Sequence, residues 1–294
     1  MNARFLATFC AVARFGSLNA AARHLGLSSA SAGEQIKALE KDLNARLLSR
    51  HGRGIALTEA GHAVLPLARD VLERIGEMGE IAQLGQPRGR LRVGAVSTAM
   101  ISVLPPALQY MARHYPAIEL NVYPGSSNHL YDQLEQGDLD CMLTGRPHFA
   151  LPKTMSWHPV REEPLVLLCA AGREGNDIGR HLTAAPFIRL DRNAWAGQIV
   201  NRYLEDSAIR PKELFEMDAP AAMVILVGQG VGVALLPDWG IAEPTGFPVR
   251  RLPVGNPAYD RHFGLIGLRK TRARLIDLFA VALRAAAGST TISE

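Results

Sequence analysis

Residues 15–61 read FGSLNAAARHLGLSSASAGEQIKALEKDLNARLLSRHGRGIALTEAG, and this stretch decides the fold of the amino-terminal part of the chain. Ser17 is a favourable N-cap for the helix LNAAARHL, and Gly26 follows where a left-handed C-cap belongs. A further helix begins at Ser28 or Ser29. Two helices joined by a turn that contains glycine predict a helix-turn-helix.

The helix that follows this turn has one apolar face and one polar face. Its inward stripe follows helical spacing and consists of Ala32, Ile36, Leu39 and Leu43. Its outward positions are Ala30, Ser31, Glu34 and Lys41, with Lys37 on the flank. Because the residues at its start are small, its backbone N–H groups could approach phosphates and base edges closely.

The segment HGRGIALT, residues 51–58, predicts a tight β-wing with Arg53 at its tip, from which an arginine could reach a minor groove or a phosphate. Helix-turn-helix and wing together predict binding to double-stranded DNA, whereas the alternative is a three-helix packing module that binds no DNA. The predicted DNA-binding residues are Ser17, Ser28, Ser29, Ala30, Ser31, Gly33, Glu34, Lys37, Arg50 and Arg53.

The placement of charge favours the DNA-binding interpretation. Residues 1–58 contain eight lysines and arginines and three acids, an excess of five positive charges. The whole chain carries a net charge of +4, so the remaining residues are close to neutral. A basic head on a neutral body is typical of a polyanion-binding module attached to a regulatory or catalytic one.

The quoted stretch resembles the amino-terminal domain of the LysR-type transcriptional regulators. The resemblance rests on four motifs, S-x-x-x-A-A-x-x-L from Ser17, S-x-x-x-x-x-x-Q-I-x-x-L-E from Ser28, L-F/L-x-R at residues 47–50 and the closing L-T-x-A-G. The sequence departs from the family at Ser29, Ala32, Gly33 and Glu34, where the family usually shows Gln, Val, Ser and Arg. A carboxylate at Glu34 repels phosphates, although it could accept a hydrogen bond from cytosine N4.

A linker helix is predicted after Thr58, which can cap it. Its apolar stripe, at spacings of three and four, consists of Val64, Leu67, Val71, Ile75, Met78 and Ala82. The stripe resembles the linker through which the family forms homodimers, and the resemblance implies a homodimer or a homotetramer. The alternative is an amphipathic helix that lies on its own domain. QLGQPRGR, residues 83–90, predicts a hinge.

From Leu91 onward, strand-like and helix-like segments alternate, which predicts α/β architecture with mainly parallel sheets. Residues 97–116 are predicted as a single helix. The resemblance implies an α/β two-lobed periplasmic-binding-protein-like effector domain, preceded by an N-terminal all-α winged helix-turn-helix domain and a linker helix. The expected limits are 1–58 for the DNA-binding domain, 59–87 for linker and hinge, and 88–294 for the effector domain, with lobe I at 88–160 and 266–294 and lobe II at 161–265.

In this fold, polar residues at the strand-to-helix turns face a cleft between the lobes. There they could bind a small, anionic effector, because hydroxyls and free N–H groups attract anions. The predicted effector-binding residues are Ser97, Thr98, Ser126, Ser127, Thr144, Arg146 and Arg192. The alternatives are helix caps for the hydroxyl groups and solvated surface positions for the arginines. Trp195 is interpreted as a helix anchor rather than as a cleft wall.

The remaining features limit the function classes. The sequence shows no catalytic, cofactor or metal-binding motif, so it predicts a regulator rather than an enzyme. Arg14 interrupts the apolar amino-terminal stretch and no apolar run is long enough to span a membrane, which favours a cytoplasmic protein over a secreted solute-binding component. The implied partners are duplex DNA, a small-molecule effector, a second copy of the chain and RNA polymerase.

Overall fold

The computed structural model describes residues 1–51, 54–81, 87–240, 248–269 and 272–289. The chain divides into two compact units, Met1–Gly85 and Gln86–Glu294. No helix among the described residues is both long and apolar enough to cross a bilayer. The first unit contains α1 (Ala3–Phe15), α2 (Leu18–Leu25), α3 (Ser29–Asp42), β1 (Leu48–His51), β2 (Gly54–Leu57) and α4 (Glu59–Ile81).

The first unit confirms the predicted winged helix-turn-helix. Gly26 ends α2 with a left-handed φ of 66°, and β1 pairs antiparallel with β2 to form the wing. Phe9 and Leu39 are fully buried between the helices, and Ala21 has no side-chain bulk to hold α2 away from its neighbours. Burial of this apolar surface is the main contribution to the stability of the three-helix core.

The second unit contains two sheet-centred lobes connected by two crossings of the chain. Its elements in chain order are β3 (Gly89–Ala95), α5 (Ser97–Ile101), α6 (Leu104–His114), β4 (Ile118–Pro124), α7 (Ser127–Glu135), β5 (Cys141–Gly145), β6 (Met155–Glu163), β7 (Leu165–Ala170), α8 (Ile178–Ala184), β8 (Phe187–Leu190), α9 (Trp195–Asp206), β9 (Glu213–Met217), α10 (Pro220–Gly228), β10 (Ala234–Pro237), β11 (Val249–Pro253), a 3-10 turn (Pro257–Tyr259), β12 (Arg261–Leu268) and α11 (Ala273–Ser289).

Lobe I is built on a five-stranded sheet of order β4-β3-β5-β12-β6. β3 runs parallel to β4 and β5, whereas β12 runs antiparallel to β5 and β6. Lobe II combines the antiparallel sheet β10-β7-β11 with the parallel pair β8-β9, and a parallel bridge from Phe187 to Val233 connects them. The prediction of mainly parallel sheets is therefore wrong, because β12 and the partners of β7 run against their neighbours.

The expected lobe limits cut through two strands. β6 continues to Glu163, and β12 already begins at Arg261, and both belong to the sheet of lobe I. The chain therefore passes into lobe II after Glu163 and returns at Arg261, rather than at residues 160 and 266.

The predicted single helix over residues 97–116 is two helices. Ser102, with φ −112° and ψ −91°, leaves the helical conformation and separates α5 from α6. Pro105 and Pro106 follow in the first turn of α6. Proline has no backbone N–H, and the first turn of a helix needs none, but a proline could not have continued the preceding helix. The hydroxyl of Ser102 donates to the carbonyl of Thr98 at 2.6 Å, so this carbonyl near the end of α5 has a hydrogen-bond partner.

Candidate DNA-binding and effector-binding sites

The start of α3 is capped by one of the predicted DNA-binding serines. The hydroxyl of Ser28 accepts a hydrogen bond from the backbone N–H of Ser31 at 3.1 Å and lies 2.9 Å from the Ser31 hydroxyl. Ser29, Ala30 and Ser31 are exposed. The small residues at this helix start therefore present backbone and hydroxyl groups to solvent, as the outward orientation predicted.

Glu34 and Lys37 form an ion pair on the exposed face of α3. Their side chains are 74% and 75% exposed, and Lys37 Nζ lies 3.0 Å from Glu34 Oε1. A pair this exposed contributes little to stability and is easily broken. The positive charge of Lys37 is therefore balanced by Glu34 in the free protein, but the lysine side chain can leave Glu34 and bind a phosphate instead.

Two other predicted DNA-binding residues have structural contacts. Ser17 caps α2 by accepting from the Ala20 N–H at 3.5 Å. Gly33 is half-buried, and a Cβ placed on it would lie 3.5 Å from Leu18 Cδ2, so it faces α2 and only borders the exposed surface. Arg50 lies in β1 opposite Ile55, and Arg53 lies outside the described residues.

Glu40 and Thr58, to which the sequence analysis assigned no role in the wing, fix the wing to the helices. Glu40 Oε1 accepts from the N–H groups of Leu47 and Leu48 at 2.7 and 3.1 Å. The Thr58 hydroxyl donates to the Arg46 carbonyl at 2.6 Å and accepts from the Gly61 N–H at 3.0 Å. The final Glu of the second motif and the Thr of the closing motif therefore hold the chain around β1 and β2.

The apolar stripe of α4 divides into a packed half and an exposed half. Val64 packs into the core of the first unit. Leu67, Val71, Ile75 and Met78 are 65%, 37%, 46% and 68% exposed, and Ala82 lies outside the described residues. Four exposed apolar side chains along one helix face are typical of an interaction surface.

A cleft that is partly open to solvent lies between the two lobes of the second unit. Lobe I contributes Ser97, Thr98, Ser127, Thr144 and Arg261 to its lining. Lobe II contributes Leu190, Trp195, Asp218, Pro237 and Trp239.

Four of the seven predicted effector-binding residues meet in this cleft. Thr98, Ser127 and Thr144 are buried, and Ser97 is exposed at the start of α5. The hydroxyls of Ser97 and Thr98 do not cap α5, whose cap position is Val96 and has no side-chain hydrogen bond. Ser126 is absent from the cleft lining and caps α7 by accepting from the His129 N–H at 3.4 Å, as the alternative interpretation held.

Neither predicted arginine lines the cleft. Arg146 is exposed beyond the end of β5. Arg192 is paired with the carboxylates of Glu213 and Glu216, each at 2.9 Å. Its hydrogen bonds and charge hold the pKa of Glu216 below the ordinary value. Arg192 is therefore already neutralised on the surface of lobe II.

The cation that does line the cleft is Arg261, which sequence reasoning missed. It is 5% exposed, its Nη2 donates to Thr98 Oγ1 at 3.3 Å, and its Nε and Nη2 bind the buried carboxylate of Glu163. Arg161 donates to the other oxygen of Glu163 from Nε at 2.8 Å. The available signal was an arginine at the start of the mostly apolar strand β12.

Trp195 is both an anchor and a cleft wall. Its backbone N–H donates to Ser127 Oγ at 3.2 Å, and its indole Nε1–H donates to Asn128 Oδ1 at 2.7 Å. Asn128 Nδ2 donates to the Asn193 carbonyl at 2.9 Å. These three bonds join the start of α7 in lobe I to the start of α9 in lobe II beside the cleft.

The part of the chain that the structure describes contains no cluster of three or more His, Cys, Asp or Glu side chains able to hold a metal ion. The polar and aromatic groups that line the cleft are hydroxyls, one guanidinium, one carboxylate and two indoles.

Comparisons with known proteins agree with this arrangement. The family model described as "LysR substrate binding domain" matches residues 84–288, and the one described as "Bacterial regulatory helix-turn-helix protein, lysR family" matches residues 3–62. The HTH-type transcriptional regulator YofA of Bacillus subtilis (strain 168) is 30% identical over 240 residues, which are 81% of each chain.

Two solved structures show the same fold. A cysteine-to-aspartate variant of full-length OxyR from Pseudomonas aeruginosa has a TM-score of 0.76 and 22% identity, covering 97% of this chain and 95% of that one. Full-length CbnR complexed with its target DNA has a TM-score of 0.61 and 22% identity, covering 97% and 100%.

Proposed function

The chain belongs to the LysR family of DNA-binding transcriptional regulators, and we propose that a small effector with an anionic group, bound between its two α/β lobes, modulates its DNA binding or promoter activation. Its relatives are named transcriptional regulators rather than enzymes, which confirms the prediction of a regulator.

The observation that carries the effector proposal is the inter-lobe cleft. Three buried hydroxyl-bearing residues, Thr98, Ser127 and Thr144, line it together with the Arg261 guanidinium. Hydroxyl and guanidinium donors arranged in a partly enclosed space favour a carboxylate, because hydrogen bonds to a charged group are the stronger ones. A ligand that touches both lobes would stabilise one inter-lobe arrangement over others.

DNA binding is proposed to use the exposed start of α3. The family is DNA-binding, and the CbnR structure contains that protein's target DNA. Ser29, Ala30 and Ser31 are placed to approach base edges, while Lys37 and the wing arginines Arg50 and Arg53 would approach phosphates. Ser17 and Ser28 would act mainly through the helix ends that they cap.

The exposed half of the α4 stripe is proposed to form a homodimer, because paired DNA half-sites need a paired protein. Dimers would then pair into a homotetramer. Where the regulator activates a promoter, contact with RNA polymerase is part of the same proposal.

The effector proposal is tested by a thermal-shift screen of the full chain with small carboxylates, followed by titration of each stabilising compound. Thr144→Val removes one cleft hydroxyl without changing side-chain volume, and Thr183→Val does the same on the exposed face of α8. We expect Thr144→Val to bind a small carboxylate about tenfold more weakly than the wild type, because one hydrogen bond to a charged group is lost. Thr183→Val should bind it like the wild type. Equal binding by all three proteins would contradict the site.

A further inference from the structure

The positive side of the cleft belongs to lobe I. Arg261 and Arg161 share one buried carboxylate, that of Glu163, so the three groups together keep one positive charge. Arg261 also donates to Thr98 Oγ1 in the cleft lining. A ligand carboxylate at Thr98 would therefore face a cation that Glu163 only partly neutralises.

The negative side of the cleft belongs to lobe II. Among the described residues that line the cleft, two are charged: Arg261 of lobe I and Asp218 of lobe II. Within the described residues, its carboxylate makes no hydrogen bond or ion pair, and it precedes α10 on an accessible part of the chain. Protein atoms that exclude water from one side of it, together with the charge of Asp191, raise its pKa above the ordinary value. The negative charge of Asp218 is therefore uncompensated in the free protein.

One side chain that lines the cleft, Trp239, has a polar group without a partner among the described residues. Trp239 is 4% exposed, and its indole N–H is buried with no acceptor among the described residues. Buried donors are nearly always satisfied by protein, water or ligand. The same side chain, with Trp195, Leu190 and Pro237, supplies apolar surface, so a ligand with one acceptor group and an apolar body would fit this wall.

We infer, on the basis of the proposed function, that the effector is a small amino-acid-like zwitterion whose carboxylate binds lobe I at Thr98 and Arg261 and whose protonated amine faces Asp218 of lobe II. The opposite charges of the two lobes match the opposite ends of such a molecule. A plain carboxylate satisfies lobe I but is repelled by Asp218, and a plain amine is attracted by Asp218 but leaves lobe I unmatched. Only a ligand with both groups matches the charges of both lobes.

The test uses the full-length chain and calorimetric titration with the common L-amino acids, each paired with its desamino acid and its decarboxylated amine. For phenylalanine these are 3-phenylpropionate and 2-phenylethylamine. The variant Asp218→Asn removes the negative charge with little change in shape. The matched control, Glu205→Gln, removes a negative charge from an exposed position of α9 that does not line the cleft.

We expect at least one amino acid to bind the wild type about tenfold or more tightly than either truncated analogue. Asp218→Asn should lose about tenfold in affinity for that amino acid and should bind its desamino acid at least as tightly as the wild type does, while Glu205→Gln binds both like the wild type.

Three results would overturn the inference that the effector is a zwitterion. They are no binding by any amino acid, equal binding by a desamino acid, and wild-type affinity in Asp218→Asn. Tight binding of a desamino acid alone would overturn this inference and still support the proposed effector cleft. Failure of every compound in the panel and of the carboxylate screen would count against both.

Discussion

Gly61 shows how a single residue fixes the junction between the wing and α4. A Cβ built on Gly61 would lie 2.1 Å from the Leu47 carbonyl oxygen, far inside van der Waals contact. The first turn of α4 can approach the chain before β1 only because this side chain is absent. The glycine of the closing L-T-x-A-G motif is thus explained by close backbone approach.

We predict that Gly61→Ala lowers the free energy of unfolding by about 1–3 kcal/mol, the usual cost of forcing atoms into a packed site. Gly76→Ala in the same helix is the control, because nothing lies within 4 Å of the Cβ it would gain. It should raise the free energy of unfolding by about 0.5–1 kcal/mol through helix propensity. Urea denaturation of both variants measures the difference, and a Gly61→Ala protein as stable as the wild type would refute this explanation of the junction.

Glu34 lies on α3, the helix proposed to approach DNA, at one of the positions where the sequence departs from the family. We predict that Glu34→Arg strengthens binding to most duplexes, because it removes one repulsive charge and frees Lys37 from its ion pair. It should also steepen the dependence of log K on log salt by about one unit or more. Glu205→Arg, with the same charge change in the second unit, should leave the slope nearly unchanged. Weaker binding by Glu34→Arg would mean that Glu34 makes an attractive contact and that α3 is oriented differently on DNA.

The three cysteines behave as apolar residues: Cys141 and Cys169 are buried, and Cys10 is half-buried. Burial raises the pKa of Cys10 to about 11 and raises the pKa values of Cys141 and Cys169 above the ordinary range. Since the thiolate is the reactive form, all three thiols should stay protonated and react slowly at neutral pH. We predict negligible alkylation by iodoacetamide in the native protein and three alkylations in denaturant, counted by mass spectrometry. Rapid native alkylation of any one would indicate a reactive thiol.

At the scale of elements, α4 carries the prediction about assembly. Leu67→Glu places a charge in the exposed half of its apolar stripe, where a partner helix would have to bury it. We expect sedimentation velocity to show that Leu67→Glu shifts the protein toward the monomer. His62→Glu, also exposed on α4 but off the stripe, should assemble like the wild type. Unchanged assembly in Leu67→Glu would exclude this helix face as the dimer contact.

The elements with local signals were predictable, and those set by tertiary context were not. Caps at Ser17 and Gly26 indicated the bounds of α2 directly, whereas the expected lobe limit at residue 160 cut through β6, which contains Pro159. Proline is tolerated there because β6 is an edge strand and pairs only with β12. The separation of α5 from α6 at Ser102 was also missed, although the two prolines that follow it were visible.

The candidate site divides in the same way. Thr98, Ser127 and Thr144 were predictable because hydroxyls at the ends of strands and starts of helices meet at one edge in this fold. Arg261, Asp218 and Trp239 were not, because each reaches the cleft from an element whose neighbours only the folded chain defines. Arg192 was misassigned, because nothing in its local sequence reveals that Glu213 and Glu216 of a neighbouring strand neutralise it.

At the scale of the whole molecule, the proposed function requires a free-energy coupling between DNA binding by the first unit and effector binding by the second. If a ligand in the cleft changes the affinity for DNA, then DNA must change the affinity for that ligand by the same factor. The hydrogen bonds that Trp195 makes to Ser127 and Asn128 join the two lobes at the cleft. A ligand that contacts both lobes would therefore change the equilibrium between inter-lobe arrangements that these bonds also influence.

The most direct test of ligand-modulated DNA binding is a fluorescence-anisotropy titration of the full-length chain with the duplex upstream of its own coding sequence, at several salt concentrations. We predict tight binding at low ionic strength, a linear fall of log K with log salt, and a changed affinity when a cleft ligand is added at saturation. Failure to bind this or any other duplex at low salt would contradict a DNA-binding role for the first unit.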